Sequence, residues 1–304
     1  MDNARRGTPG TGGDGVDVDA IDDNAFGPLA TAILIAVIGP EVFIIQPGVV
    51  QGMVSLLGYT DSQAGYVASL EMYGIAATTV AMSFFSHRVN WRHVTAAALA
   101  VIIAGNLASM FVTALVPFMV IRFVVGLGCG FMVSLGFAIV GLTARPERNF
   151  GWLIVWVLTY GAVVLYIMPW LFALGGMAAL FAFLAAFTAL ALPLLRFVPR
   201  NGADHVALEA DAVEIPALHK TLALGAMLSY FMAQGVVWAY LFLIGLAGGL
   251  SAGQVTTGLT LSQLAGIAGG LTAVALGGRC GRAWPLTLAI LGTLAPLAFL
   301  FGAF

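Results

Sequence analysis

The chain has 304 residues, of which 61% are apolar and only 9% charged. A soluble domain carries about 45–50% apolar and about 25% charged residues, whereas the mean hydropathy here is +1.00. This excludes an ordinary soluble enzyme, a nucleic-acid binder and a disordered protein, and leaves a polytopic membrane protein. The formal net charge of −2 hides a strong segregation of sign along the chain.

Residues 1–27 hold Asp2, Asp14, Asp17, Asp19, Asp22 and Asp23 among glycines and are expected to be a disordered acidic tail. This is no signal peptide: it is acidic, and the apolar run behind it is long and carries Pro40 and Glu41. About 20 apolar residues span a bilayer as a helix. The predicted spans are roughly 29–56, 62–85, 93–115, 117–142, 150–173, 176–196, 221–245, 253–277 and 284–303. Asn149 to Leu195 and Thr221 to Gly278 contain no charged residue, and each run is long enough for two passes. The turn signals that divide them are Gly175-Gly176 and Gly248-Gly249 with Ser251.

Charge then fixes the expected topology. Arg88 and Arg92, Arg145 and Arg148, Arg196, Arg200 and Lys220, and Arg279 and Arg282 fall after spans two, four, six and eight. The loops after spans one, three, five and seven have no Lys or Arg. The positive-inside rule places the basic loops and the N-terminus in the cytoplasm. The fold expected is all-α: a six-helix bundle over 28–196, a cytoplasmic central loop over 197–220, and a partial bundle of three helices over 221–304. An offset of 191 residues lays Arg88 on Arg279, Gln63 on Gln254 and Leu70 on Leu261. Parallel repeats of this kind build many secondary transporters.

Cys129 and Cys280 cannot form a scaffold and are expected as free thiols. No metal-ligand spacing, phosphate loop or nucleophile motif occurs, so no enzyme activity, metal or cofactor is expected.

Two motifs carry a resemblance. The turn after span two reads Ser83-Phe84-Phe85-Ser86-His87-Arg88-Val89-Asn90-Trp91-Arg92, and Gly278-Arg279-Cys280-Gly281-Arg282 forms a second copy. In span four, Arg122 is followed by Gly126, Gly128 and Gly130. With the opening of span two, Gly58-Tyr59-Thr60-Asp61-Ser62-Gln63-Ala64-Gly65, these resemble the major facilitator superfamily, in which the turn reads G-x-L-a-D-R-x-G-R-R. Arg88 and Arg92 match that turn, while His87 and Asn90 replace its Asp and Gly. The resemblance runs from about residue 28 to the end and covers nine of the family's twelve helices, so a bacterial chain truncated after the ninth is expected. It implies a multi-pass transporter of the inner membrane, with the bilayer, a small-molecule solute and protons as partners and a monomer favoured. It also implies that Arg88, Arg92, Arg279 and Arg282 form an inner gate; the competing reading is that they only hold the loops inside.

Ionisable residues within the bilayer are functional candidates by default. There are three: Glu41, Glu71 and Arg122. At the helical rise, Arg122 lies ~8 Å and Glu71 ~14 Å below the outer side, within reach of the long guanidinium arm. Glu41, between Pro40 and Pro47-Gly48, sits nearer the midplane, where broken backbone lines cavities. Burial raises a carboxylate pKa and a nearby cation lowers it. An arginine that approaches and withdraws therefore offers a route to proton coupling. The bland readings are a snorkelling anchor for Arg122 and helix packing for the two acids. Tyr230, Gln234 and Trp238 share one helical face, and with Gln46 they are candidates to line a cavity for an aromatic or carboxylated solute. Gln51 and Asn106 are read as interhelical hydrogen-bonding residues. The efflux antiporters' Gly-Pro motif is missing from span five, where Tyr160-Gly161-Ala162 and Met168-Pro169-Trp170 stand instead. That favours a symporter or facilitator over an efflux antiporter; an exporter of toxic compounds and a non-transporting remnant are the alternative readings.

Overall fold

The computed structural model describes residues 26–143, 145–199 and 217–276, with 287, 288, 291 and 292. Among the described residues there is no strand. The helices are α1 (Phe26–Ile38), α2 (Glu41–Ile44), α3 (Gln46–Leu57), α4 (Asp61–Phe85), α5 (Trp91–Ser109), α6 (Leu115–Gly141), α7 (Pro146–Ala189), α8 (Ala217–Ala247) and α9 (Ala252–Leu276). A short 3-10 turn, Ser86–Arg88, follows α4, and another, Leu192–Phe197, follows α7. Among the described residues, α4, α5, α6 and the stretch Arg148–Phe197 are long and apolar enough to cross a membrane.

Two predicted features differ from the structure. The first span is broken into α1, α2 and α3, because Pro40 and Pro47 each lack the amide that continues a helical ladder. Spans five and six are two helices, as expected, divided at Gly175–Gly176 where the backbone leaves helical geometry, and they are numbered together as α7. Helix already begins at Phe26, inside the predicted tail, and again at Ala217, inside the predicted central loop. Residues 1–25, 200–216 and nearly all of the ninth span, with Cys280, Arg279 and Arg282, lie outside the described residues.

The internal repeat is visible in the turns. Gly58 and Gly249, related by the same offset, both adopt left-handed backbone, with φ of 72° and 84°. Such a turn suits glycine, which has no Cβ to clash. Each is followed by a reciprocal capping box. Gln63 N–H donates to Thr60 Oγ1 at 3.2 Å and Thr60 N–H to Gln63 Oε1 at 2.9 Å. In the second copy, Gln254 N–H donates to Ser251 Oγ at 3.3 Å and Ser251 N–H to Gln254 Oε1 at 2.9 Å. Each box satisfies two of the orphan donors at a helix start, so α4 and α9 open in the same way.

Helix α6 is the centre of the first half, packing on α4, α5 and α1. Its glycines serve two neighbours. A Cβ on Gly126 would lie 3.0 Å from the Glu71 carbonyl carbon, and one on Gly130 would lie 2.8 Å from Thr78 Cβ, so both meet α4. Gly128 faces α5 instead, where a Cβ would lie 2.9 Å from Ile102. At the far end of this half, Tyr59 donates to the Thr113 carbonyl at 2.7 Å and meets Phe118 edge-on at 6.0 Å between ring centres. Burial at this turn pushes the Tyr59 hydroxyl above the ordinary tyrosine range.

Helix α8 joins the first half at that same end, whereas α9 contacts it along much of its length. Helix α3 packs on α8, Tyr240 donates to the Asp61 carbonyl at 3.3 Å, and α9 packs along α7. Toward the opposite end, where the basic turns lie, described side chains of α8 from Leu222 to Gln234 remain exposed.

Candidate functional site

The three intramembrane ionisable residues converge in one buried network. The backbone contact at Gly126 brings α6 against α4 at Glu71. Arg122 stands one turn earlier on the same face of α6 and meets the Glu71 carboxylate through two nitrogens. Its Nε donates to Glu71 Oε2 at 3.1 Å, and Nη2 pairs with Oε1. A third donor, Nη1, reaches Asn106 Oδ1 at 2.8 Å. Asn106 then donates through Nδ2 to Glu41 Oε1 at 3.3 Å. Thr188 of α7 also donates to Glu41, at 3.4 Å to Oε1. Glu41, Asn106 and Thr188 are fully buried, and Arg122 and Glu71 nearly so.

Glu71 therefore holds the cation directly, while Glu41 is held by neutral donors and meets the cation through Asn106. The guanidinium also lies 5.1 Å from the centre of the Phe181 ring, within cation–π range. Phe181 packs edge-on to Phe118 at 5.8 Å, and Phe118 to Tyr59. This stack covers the network on the side of the α3–α4 turn.

Little space is left beside the charges. The void among Gln46, Glu71, Arg122, Phe118 and Phe181 is about 10 Å³, near the size of one water. Gln46 is thus where a cavity residue was expected, but this void is too small for an organic solute. Nε, Nη1 and Nη2 of Arg122 each already donate within the network, to Glu71 and Asn106.

The expected face of α8 is not gathered at one cavity. The Trp238 indole donates to the Phe43 carbonyl at 2.9 Å. That carbonyl lacks its usual helical donor, because Pro47 four residues on has no N–H. Tyr230 and Gln234 lie on the exposed part of α8. Of the expected gate, Arg92 donates to the Arg196 carbonyl at 2.7 Å and to the Val198 carbonyl at 3.1 Å, pinning α5 to the end of the 3-10 turn after α7. Arg88 lies in the turn Ser86–Arg88. Replacing Arg92 by Met keeps the apolar stem and removes these charged donors. The expected result is a loss of about 1–2 kcal/mol in unfolding of the purified chain, with membrane insertion intact.

Two residues of the network carried little signal in the sequence. Thr188 is a single hydroxyl in an apolar run, where threonine commonly bonds back to its own helix. Asn106 was legible as an interhelical hydrogen-bonding residue but not as the bridge between both acids.

A family model described as Major Facilitator Superfamily matches residues 25–304. The chain belongs to this superfamily. Its members are transporters rather than enzymes, so the chain is a multi-pass membrane transporter of small molecules, working in a lipid bilayer. No individually curated protein matches the chain. The helical bundle built around α6 agrees with the superfamily assignment, and Arg122 with its trailing glycines lies within the matched region.

Proposed function

We propose that this superfamily member is a proton-coupled secondary transporter of a small organic solute, acting by alternating access, with Glu41, Glu71 and Arg122 as the coupling group. One observation carries the reading: two carboxylates share one guanidinium in a dry interior, and one of them, Glu41, reaches it only through Asn106. Two acids and one base leave a surplus negative charge, and an uncompensated charge is costly in a low-dielectric interior. A single bound proton makes the group neutral. Glu41, which has no cation of its own, is the member placed to take it up and release it. A rocking motion that shifts the guanidinium from Glu71 toward Glu41 would change which acid needs the proton.

The arrangement of the halves supports the same cycle. Helix α8 meets the first half at the end bearing the α3–α4 and α8–α9 turns, α9 runs along α7 as far as Val155, and described α8 side chains stay exposed toward the basic turns. The charge pattern implies that the basic loops and N-terminus face the cytoplasm of a bacterial cell, so the exposed part of α8 would open toward that face. In the six-plus-three division, the gate arginines Arg88, Arg92, Arg279 and Arg282 would lie at that face.

The test is transport by the full chain in liposomes carrying an internal pH-sensitive dye, challenged with a panel of neutral and charged organic solutes. A solute of the right class should move protons with it. Glu41→Gln is expected to abolish proton-driven accumulation while leaving insertion intact. Unchanged pH-dependent uptake by that variant removes Glu41 from the mechanism. Resistance on expression without uptake would instead favour the exporter reading.

A further inference from the structure

A sizeable cavity lies away from the charges. It measures about 530 Å³ and lies between α1 and α7, with Leu29, Ile33, Trp156, Tyr160, Phe183 and Phe187 among its walls. That is within the ~300–1,000 Å³ typical of small-molecule sites. By contrast, the void beside Arg122 is about 10 Å³.

The wall chemistry limits what can enter. No wall residue is charged, so a charged ligand would be buried without a counter-charge. Thr159, one of the two hydroxyl-bearing wall residues, already donates to the Val155 carbonyl at 2.7 Å. The aromatic walls form a surface of their own. The Tyr160 and Phe187 rings lie 4.8 Å apart at 35°, and Phe183 stacks on Phe187 at 6.4 Å and 9°. Aromatic faces of this kind favour offset or edge contacts with another ring.

Tyr160 belongs to two environments. Its ring is part of the cavity wall, but its hydroxyl is buried and has no hydrogen-bond partner among the described residues. Buried polar groups are nearly always paired, so an orphan of this kind calls for a functional or solvent partner. The chain neighbour of Tyr160, Gly161, packs on Ile44 of the short helix that begins with Glu41, where a Cβ would lie 2.8 Å from Ile44 Cγ2. Phe187, whose ring is tilted against that of Tyr160, is the chain neighbour of Thr188, which donates to Glu41. A solute that displaces the Tyr160 ring thus moves a polar group set close to the proton-carrying acid.

Resting on the transporter reading above, we propose that this cavity is a solute site, that its ligand is a neutral, ring-bearing organic molecule of low polarity, and that Tyr160 joins the occupied cavity to Glu41. This names the cargo class and replaces a carboxylated solute held by Arg122.

The experiment is photolabelling of the purified full chain in lipid nanodiscs. The probes are neutral 4-hydroxybenzophenone, below the pH at which its phenol ionises, and anionic 4-carboxybenzophenone. Peptide mass mapping reads the labelled positions. The neutral probe is expected to label residues of α1 and α7 saturably, with an apparent affinity about tenfold or more above the anion's. Unlabelled 4-hydroxybiphenyl should compete in the parent chain, and Ala30→Trp, which projects an indole into the cavity from its α1 wall, should weaken the saturable signal. Competition in the parent keeps the test decisive if that variant fails to fold. Non-saturable labelling spread over the lipid-facing surface, as an acyl-chain groove would give, overturns the solute site. Equal labelling by the anion overturns the neutral class.

The role of Tyr160 has its own readout. Glu41→Gln is expected to shift half-saturation by about threefold or more in the parent but not in a Tyr160→Phe background, as coupled residues require. Additive effects of the two substitutions remove Tyr160 as the link. Labelling reports binding, whereas solute-driven proton movement reports transport, so failure of either reading leaves the other measurable.

Discussion

Replacing Arg122 by Leu is expected to lower the stability of the purified chain by about 3–5 kcal/mol, the cost of leaving a buried charge without its partner. Arg122 holds Glu71 through two nitrogens and Asn106 through a third, and all three side chains are buried. The loss should therefore show directly in thermal unfolding followed in micelles. Removing both partners, as in Glu71→Leu with Arg122→Met, should be less damaging than removing Arg122 alone. An apolar pair of similar volume often stands in for a buried ion pair at little net cost. Strictly additive losses in that cycle would show that the two side chains do not stabilise each other. The double variant should also fail to move protons, which separates the stability of the pair from its proposed use.

The second large effect is expected at Gly126. An alanine there puts a Cβ about 3.0 Å from the Glu71 carbonyl carbon, with backbone and not a flexible side chain in the way. Overpacking costs about 1–3 kcal/mol, and an unyielding neighbour places this substitution at the upper end. The helices must separate where Arg122 meets Glu71, so Gly126→Ala should also impair proton coupling. Gly253→Ala is the control, because a Cβ there meets nothing within 4 Å. Unfolding curves for the two variants that coincide would show that the close crossing of α4 and α6 contributes nothing.

Much of this was legible in the sequence because membrane insertion writes simple rules. Charges confined to alternate loops marked the spans, and the scarcity of charge within them isolated Glu41, Glu71 and Arg122. The length of an arginine side chain showed that either acid was within reach. The choice between them was not legible, because it follows from the backbone crossing at Gly126, which needs the three-dimensional path of both helices. Sequence periodicity likewise put Tyr230, Gln234 and Trp238 on one face but could not say what that face meets. The partner of Trp238 is a carbonyl freed by a proline on another span. Tyr160 stands in the sequence only beside a glycine where the antiporters' Gly-Pro pair is missing, and its orphan hydroxyl is a property of its surroundings.

The Trp238–Phe43 bond also constrains movement. Phe43 belongs to the short helix that begins with Glu41 and is set off by irregular backbone on both sides. Any swing of α8 must either snap this tether or pull that four-residue segment along with it. The segment acts as a lever arm, with the acid at one end and the attachment to the second half near the other. Displacement of the second half thus has a mechanical path to the Glu41 carboxylate without passing through the arginine.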